Sequence, residues 1–197
     1  MDLLKNIQLV GKMIFGTGSF DRLDEILAEK RLDSFMVFLV DDFFKGRDLA
    51  DRIPARSQDQ IIFVNVDVEP KTAVVDELRD QILQINGLAP DGVIGIGGGS
   101  VMDYAKAVAV MLTNPGPSSQ YQGLNLARNA SVYHVGIPTL AGTGAEVSTT
   151  AVLTGPEKKL GIKGEFTPFH QIILDPQLIH DTPRNQWFYT GMDSYIH

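Results

Sequence analysis

The 197-residue chain contains no cysteine. Disulfides and thiolate metal sites are thereby excluded, which fits a reducing compartment and makes the cytoplasm the expected location. Positive charge is also in short supply. The 17 Lys and Arg against 24 Asp and Glu leave a net charge of −7, and no basic stripe offers a nucleic-acid backbone its usual partners. Long apolar runs are missing too: nothing approaches the ~18 uninterrupted apolar residues of a membrane span. The opening Met1-Asp2-Leu3-Leu4-Lys5-Asn6 lacks a basic region leading into an apolar stretch, so no secretory leader is expected either. Internal repeats and low-complexity tracts are absent. With 44% hydrophobic residues, the chain has ordinary material for one good core.

That material is arranged in alternation. Apolar runs at 12–15, 35–40, 61–66, 93–96, 133–137, 151–154 and 172–174 read as strands. Between them lie helical stripes: Ser19 as a cap before Phe20, Leu23, Ile26 and Leu27, and then Val74, Val75, Leu78, Ile82 and Ile85. Strands followed by amphipathic helices predict an α/β fold, a Rossmann-like and mainly parallel sheet with helices on both faces. Ligands are then expected beyond the carboxyl ends of the strands. Residues 1–182 form this expected domain. Thr182 to Gln186 reads as a linker, and 183–197 as linker and first turns of a truncated all-helical domain, with Trp187, Phe188 and Tyr189 left as an exposed apolar patch.

Three segments carry chemistry. In Val93 to Lys106 an apolar run enters Gly97-Gly98-Gly99-Ser100 and leaves as a helix. Glycines permit positive φ and close backbone approach, while the first helical amides attract an anion, so a pyrophosphate fits this turn. In His134 to Ser148 a strand ends at Pro138 and a second phosphate-friendly loop follows, with Thr139 and Thr143 offering hydroxyls and Gly142 and Gly144 offering close approach. Finally, Asp193 and His197 are four apart, a spacing that places carboxylate and imidazole on one helix face toward a single ion. A catalytic divalent metal takes three or more protein ligands, so the remaining ones are expected from chain absent here. His134, His170 and His180 have no motif around them and read as structural or solvent-facing.

Taken in order, G-G-G-S-x-x-D-x-A-K, P-T-x-A-G-T-G-x-E, Ile172 to Leu178 and the closing G-M-D-x-x-x-H resemble the iron-containing (group III) alcohol dehydrogenase family. Met13 to Ser19 is similar to that family's opening hairpin and helix start. The resemblance implies an NAD-dependent enzyme that moves a hydride from a primary alcohol to the nicotinamide, with a divalent metal, Fe or Zn, bound by Asp193, His197 and histidines outside this chain. It implies a cofactor site at Asp41, Gly97, Gly98, Gly99, Ser100, Asp103, Thr139, Thr143 and Lys159. A carboxylate at Asp41 would accept hydrogen bonds from the adenosine ribose and repel a 2′-phosphate, favouring NAD over NADP; Asp42 is a close competitor. Lys159 falls where the family contacts the nicotinamide ribose, with Lys158 and Lys163 near enough to take that role. Asp103 is placed near the nicotinamide or the loop amides, and it and Lys106 otherwise read as a surface pair near a helix start. Segments 112–116, 121–123 and 187–193 are similar to members that oxidise the terminal hydroxymethyl of an eight-carbon acid sugar, 3-deoxy-D-manno-octulosonate (Kdo), for lipopolysaccharide biosynthesis. A small alcohol or sugar substrate and a homodimer in full-length form are expected. Two other readings stay open: a non-catalytic nucleotide-binding module, and a polyol dehydrogenase or dehydroquinate synthase relative.

Overall fold

The computed structural model describes residues 9–180 and 182–196. In chain order its strands are β1 (Lys12–Phe15), β2 (Met36–Asp41), β3 (Gln60–Val64), β4 (Gly92–Gly97), β5 (Gly123–Leu124), β6 (His134–Pro138), β7 (Thr150–Thr154), β8 (Lys159–Lys163) and β9 (Gln171–Leu174). Its α-helices are α1 (Leu23–Leu27), α2 (Asp48–Asp51), α3 (Thr72–Asn86), α4 (Gly99–Met111) and α5 (Arg184–Ile196). Six strands form one sheet in the order β1-β9-β6-β4-β2-β3, with every pairing parallel. The expected α/β fold is the observed one.

Side-chain alternation explains how both faces are covered. Along β2, Val37 and Leu39 join a core with Val75, Leu78 and Ile82 of α3 and Val101, Met102 and Val108 of α4. Their neighbours Met36, Phe38 and Val40 point the other way, into a second core with Phe20, Leu23, Leu27, Leu49 and Leu178. Every residue of β2 and β4 is buried, as a strand sandwiched between helices requires.

The sheet positions a site through its topology. From β2 the chain moves outward to β3, whereas from β4 it moves to β6 on the opposite side. The strand order therefore reverses between β2 and β4. A crevice opens at their carboxyl ends, where Asp41 and Gly97 stand.

Three local expectations need correction. Ser19 does not cap the first helix, because its own backbone is already helical (φ −64°, ψ −28°) and its side chain makes no capping bond. Asp175 does the work from the end of β9: its Oδ2 accepts from Phe20 N–H at 3.0 Å and its Oδ1 from Gln177 N–H at 3.0 Å. The 151–154 strand, β7, does not enter the main sheet. It pairs antiparallel with β8, which in turn pairs with the short β5, and both β5 and β8 were invisible in the hydrophobic pattern. Helix α5 begins at Arg184, inside the stretch read as a linker, with Trp187 N–H already bonded to Pro183 O at 3.0 Å.

Candidate functional site

The glycine turn forms the floor of the crevice. Gly97 closes β4, Gly98 is the N-cap of α4 and Gly99 its first residue. Val101 N–H and Met102 N–H both reach Gly98 O, at 3.0 and 3.1 Å, while the Gly99 and Ser100 amides belong to the first turn that has no intrahelical acceptor. A Cβ on Gly97 would meet Val101 Cγ2 at 2.5 Å and Asp41 Cβ at 3.0 Å, so glycine there lets helix and neighbouring strand approach. Gly98 needs no unusual backbone, since its φ is −79°. A Cβ on Gly98 would come within 3.2 Å of Leu140 Cδ1, and one on Gly99 within 3.1 Å of Thr143 Oγ1. At these two positions glycine lets the second loop pack closely against the turn.

Two clefts flank the turn. One, of about 300 Å³, is lined by Asp41, Asp42, Phe44, Thr139, Leu140 and Leu178. The other, of about 760 Å³, is lined by Gly99, Ser100, Asp103, Thr143, Val152 and Lys159. Val66 and Asp67 line both and so form the waist between them. The first cleft offers apolar slabs and carboxylates. The second offers hydroxyls, the three carboxylates Asp67, Glu69 and Asp103, and the ammonium of Lys159.

The predicted residues have distinct environments. Asp41 is buried, with Oδ1 accepting from Phe43 N–H at 3.0 Å; burial pushes its carboxyl up, the Asp42 and Asp67 charges push the same way, and the Phe43 bond resists. Thr139 is buried and donates its N–H to Gly97 O at 3.0 Å, tying the second loop to the glycine turn. Thr143 Oγ1 accepts from Ala145 N–H at 3.2 Å. Asp103 is pushed up to about 6 by burial, against the opposing pull of Lys106, a hydrogen bond from the Val152 backbone and Lys159. Lys159 Nζ lies 2.6 Å from Glu69 Oε1, whose other oxygen accepts from Thr154 Oγ1 at 3.1 Å. Its competitor Lys163 lines a different cleft with Asn125 and Arg128.

Lys106 is not half of a surface pair. It is fully buried, donating to Ala145 O at 2.9 Å, to Ser148 Oγ at 3.1 Å and to Thr150 O, with Asp103 Oδ1 at 3.4 Å. One cation thus pins the wall of the second cleft to α4. Burial depresses its pKa, and Asp103 and Glu146 oppose that. Reading Lys106 as a helix-start charge missed this because its partners lie 39 to 44 residues away. Glu69, Asp67, Phe44 and Leu178 were also missed. For Asp67 the only available signal was its place just beyond the carboxyl end of a strand.

Helix α5 lies against the second loop. Ser194 Oγ donates to Gly142 O at 3.0 Å, and a Cβ on Gly142 would sit 3.6 Å from Asp193 Oδ2. Asp193, Thr190, Gly99 and Thr143 line a small cleft of about 70 Å³. His197, the second predicted metal ligand, lies outside the described residues. Among the described residues no group of three or more His, Cys, Asp or Glu could hold a metal ion. His134 and His170 sit at the opposite edge of the sheet, where β6 and β9 begin, with their Nδ1 atoms 3.0 Å apart.

A parallel sheet with a glycine turn at its switch point defines the class of Rossmann-like α/β proteins. Within that class the chain belongs to the iron-containing alcohol dehydrogenase family, whose model matches residues 11–176. It is similar to the sulfoacetaldehyde reductase of Bilophila wadsworthia, 29% identical over 95% of this chain and 49% of that protein. It is also similar to the NAD-dependent methanol dehydrogenase of Bacillus methanolicus, 34% identical over 89% of this chain and 46% of that protein. Among solved structures, the sulfoacetaldehyde reductase of Bifidobacterium kashiwanohense in complex with NAD+ superposes with a TM-score of 0.79 at 26% identity, covering 97% of this chain and 51% of that one. The chain spans about half the length of the curated relatives it matches. No helix among the described residues is long and apolar enough to cross a membrane.

Proposed function

We propose that this chain is the NAD-binding portion of a metal-dependent alcohol dehydrogenase that transfers a hydride between a primary alcohol, or the corresponding aldehyde, and the nicotinamide. The observation that carries the reading is the pair of clefts meeting at Val66 and Asp67 beside the glycine turn. A dinucleotide has this form, two nucleoside halves joined by a pyrophosphate. In this reading the first-turn amides of Gly99 and Ser100 receive the pyrophosphate, and Gly97 and Gly98 allow its approach. Asp41 accepts the adenosine ribose hydroxyls, Thr139 and Thr143 supply the hydroxyls of the second loop, and Asp103 and Lys159 serve the nicotinamide half. Two relatives support the choice of cofactor, one named NAD-dependent and one solved with NAD+.

The described residues do not complete a metal site. Asp193 and His197 are proposed as the ligands this chain contributes, and the metal, iron or zinc, would supply Lewis-acid stabilisation of an alkoxide. The finer reading of C8 of Kdo as the substrate rests on segments outside both clefts. Tyr121 OH, for instance, donates to Pro115 O at 2.6 Å, which binds two of those segments to each other. A small primary alcohol or aldehyde is therefore the broader reading, with Kdo one member of it to assay.

The test is titration calorimetry with NAD+ on the 197-residue chain, alongside its metal content. NAD+ is expected to bind, while iron or zinc should be held weakly and well below one equivalent, since affinity depends on ligand number and preformed geometry. Failure to bind NAD+ would overturn the cofactor reading. Metal-dependent NADH formation from a primary alcohol, lost in Asp193→Ala, would show instead that a second copy completes the ligand set. NAD+ binding by a longer form that neither holds a metal nor reduces NAD+ would favour a non-catalytic binding module.

A further inference from the structure

Asp67 stands at the waist of the two clefts, on the loop that leaves β3, and it has no counterpart in the sequence motifs. Its backbone N–H is bonded to Asn65 Oδ1 at 3.0 Å, a local turn that fixes where the residue sits. It shares the first cleft with Asp41 and Asp42 and contributes a third carboxylate to it. Asp41 closes β2 and Asp67 follows β3, the strand paired to β2, so the two carboxylates reach the cleft from neighbouring strands. Among the described residues no Lys or Arg lines this cleft. Asp41 has also committed Oδ1 to Phe43 N–H, which keeps that carboxylate from turning away from the cleft to avoid an anion.

We infer that Asp67 is a second specificity-determining residue, which acts with Asp41 to exclude a 2′-phosphorylated dinucleotide. The inference rests on the cofactor reading above. A 2′-phosphate carries close to two negative charges, and it would enter a cleft already holding three carboxylates with no cation among its described lining residues. The two acids differ in setting: Asp41 is buried, whereas Asp67 is exposed. Coulomb repulsion from an exposed charge is screened by salt and that from a buried one much less. The contribution of Asp67 should therefore fade as ionic strength rises, and that of Asp41 should persist. Both carboxylates line the same cleft, and the Asp67 charge adds to the effects that push the Asp41 carboxyl up.

The test is a set of four affinity ratios, Kd for NADP+ over Kd for NAD+, measured by calorimetry on the 197-residue chain and on Asp41→Ser, Asp67→Asn and the double variant. The parent is expected to favour NAD+ by at least about tenfold, roughly 1.4 kcal/mol. Asp67→Asn should lower the ratio by about threefold to tenfold through tighter NADP+ binding, and this change should shrink in high salt. Asp41→Ser should leave residual discrimination that only the double variant removes. An unchanged ratio in Asp67→Asn, or a ratio of one in Asp41→Ser alone, with NAD+ still bound, overturns the inference and leaves the cofactor reading standing. A parent that binds neither dinucleotide overturns both.

Discussion

At position 106 a lysine ammonium with no solvent exposure is balanced by a single carboxylate, Asp103, and by three oxygen atoms of the 145–150 segment. Removing one partner of a buried ion pair strands the other, so Lys106→Met should cost about 3–5 kcal/mol in urea denaturation. Lys106→Met with Asp103→Asn should cost less than the sum of the two single changes, because the residues are in contact. His134 and Asp103 make a second prediction, on pH. His134 is lowered to about 4 from 6.5, chiefly by burial, so its contribution to stability is present above 6.5 and is lost as pH falls toward 4. Asp103 is raised from 3.8 to about 6, so its contribution is present at low pH and is lost as pH rises through about 6. Each shift is worth at most roughly 3 kcal/mol, and over the same window they oppose each other. Unfolding free energies from pH 4 to 7 should therefore fall more steeply on acidification in Asp103→Asn than in the parent, and less steeply in His134→Gln. Parallel curves for all three proteins would refute this account.

At the scale of the element, the strand–turn–helix unit of β4 and α4 separates two roles of glycine. Gly97→Ala would press a methyl group into Val101 and Asp41, and it should destabilise the fold by about 1–3 kcal/mol. Gly98 has an ordinary backbone and faces only the flexible end of Leu140. Gly98→Val should therefore keep the far-ultraviolet dichroism of the parent while weakening NAD+ binding at least tenfold, by filling the space assigned to the pyrophosphate. Normal NAD+ affinity in a folded Gly98→Val protein would reduce the turn to a connection. Helix α5 differs from both, because its sequence carries a helix without a buried face. None of its residues is buried; Trp187 is 53% exposed, Phe188 65% and Tyr195 84%.

For the whole molecule, that exposure predicts behaviour in solution. The chain has one tryptophan, so its selectively excited tryptophan fluorescence reports on α5 alone. Emission from Trp187 should resemble that of a solvated indole, and an apolar patch of this kind should drive concentration-dependent association. Phe188→Lys with Tyr195→Lys should reduce that association in sedimentation velocity. An equally associated double variant would place the contact elsewhere, for example on the exposed Met13 and Phe15 of the edge strand β1.

The class of fold was legible in the residue pattern. Each of its apolar runs between helical stripes became a strand, and six of the seven joined one parallel sheet; in β2, β4 and β6 burial on both faces writes a continuous apolar signal into the strand, whereas the edge strands β1 and β3 are apolar but partly exposed. Also legible were the glycine turn and the loop at Thr139 to Thr143, where local backbone geometry and composition coincide. Contacts between residues far apart in the chain had no local signal and arose only on packing. Asp175 caps a helix 155 residues away, Lys106 draws in oxygens some 40 residues on, and Glu69 meets Lys159 across 90 residues. The short strands β5 and β8 belong here too: three of the five residues of Lys159–Lys163 are exposed, so only pairing with β7 makes it a strand. Local pattern reports what a segment must bury. Which distant charge or carbonyl comes to meet a side chain is fixed only when the segments pack.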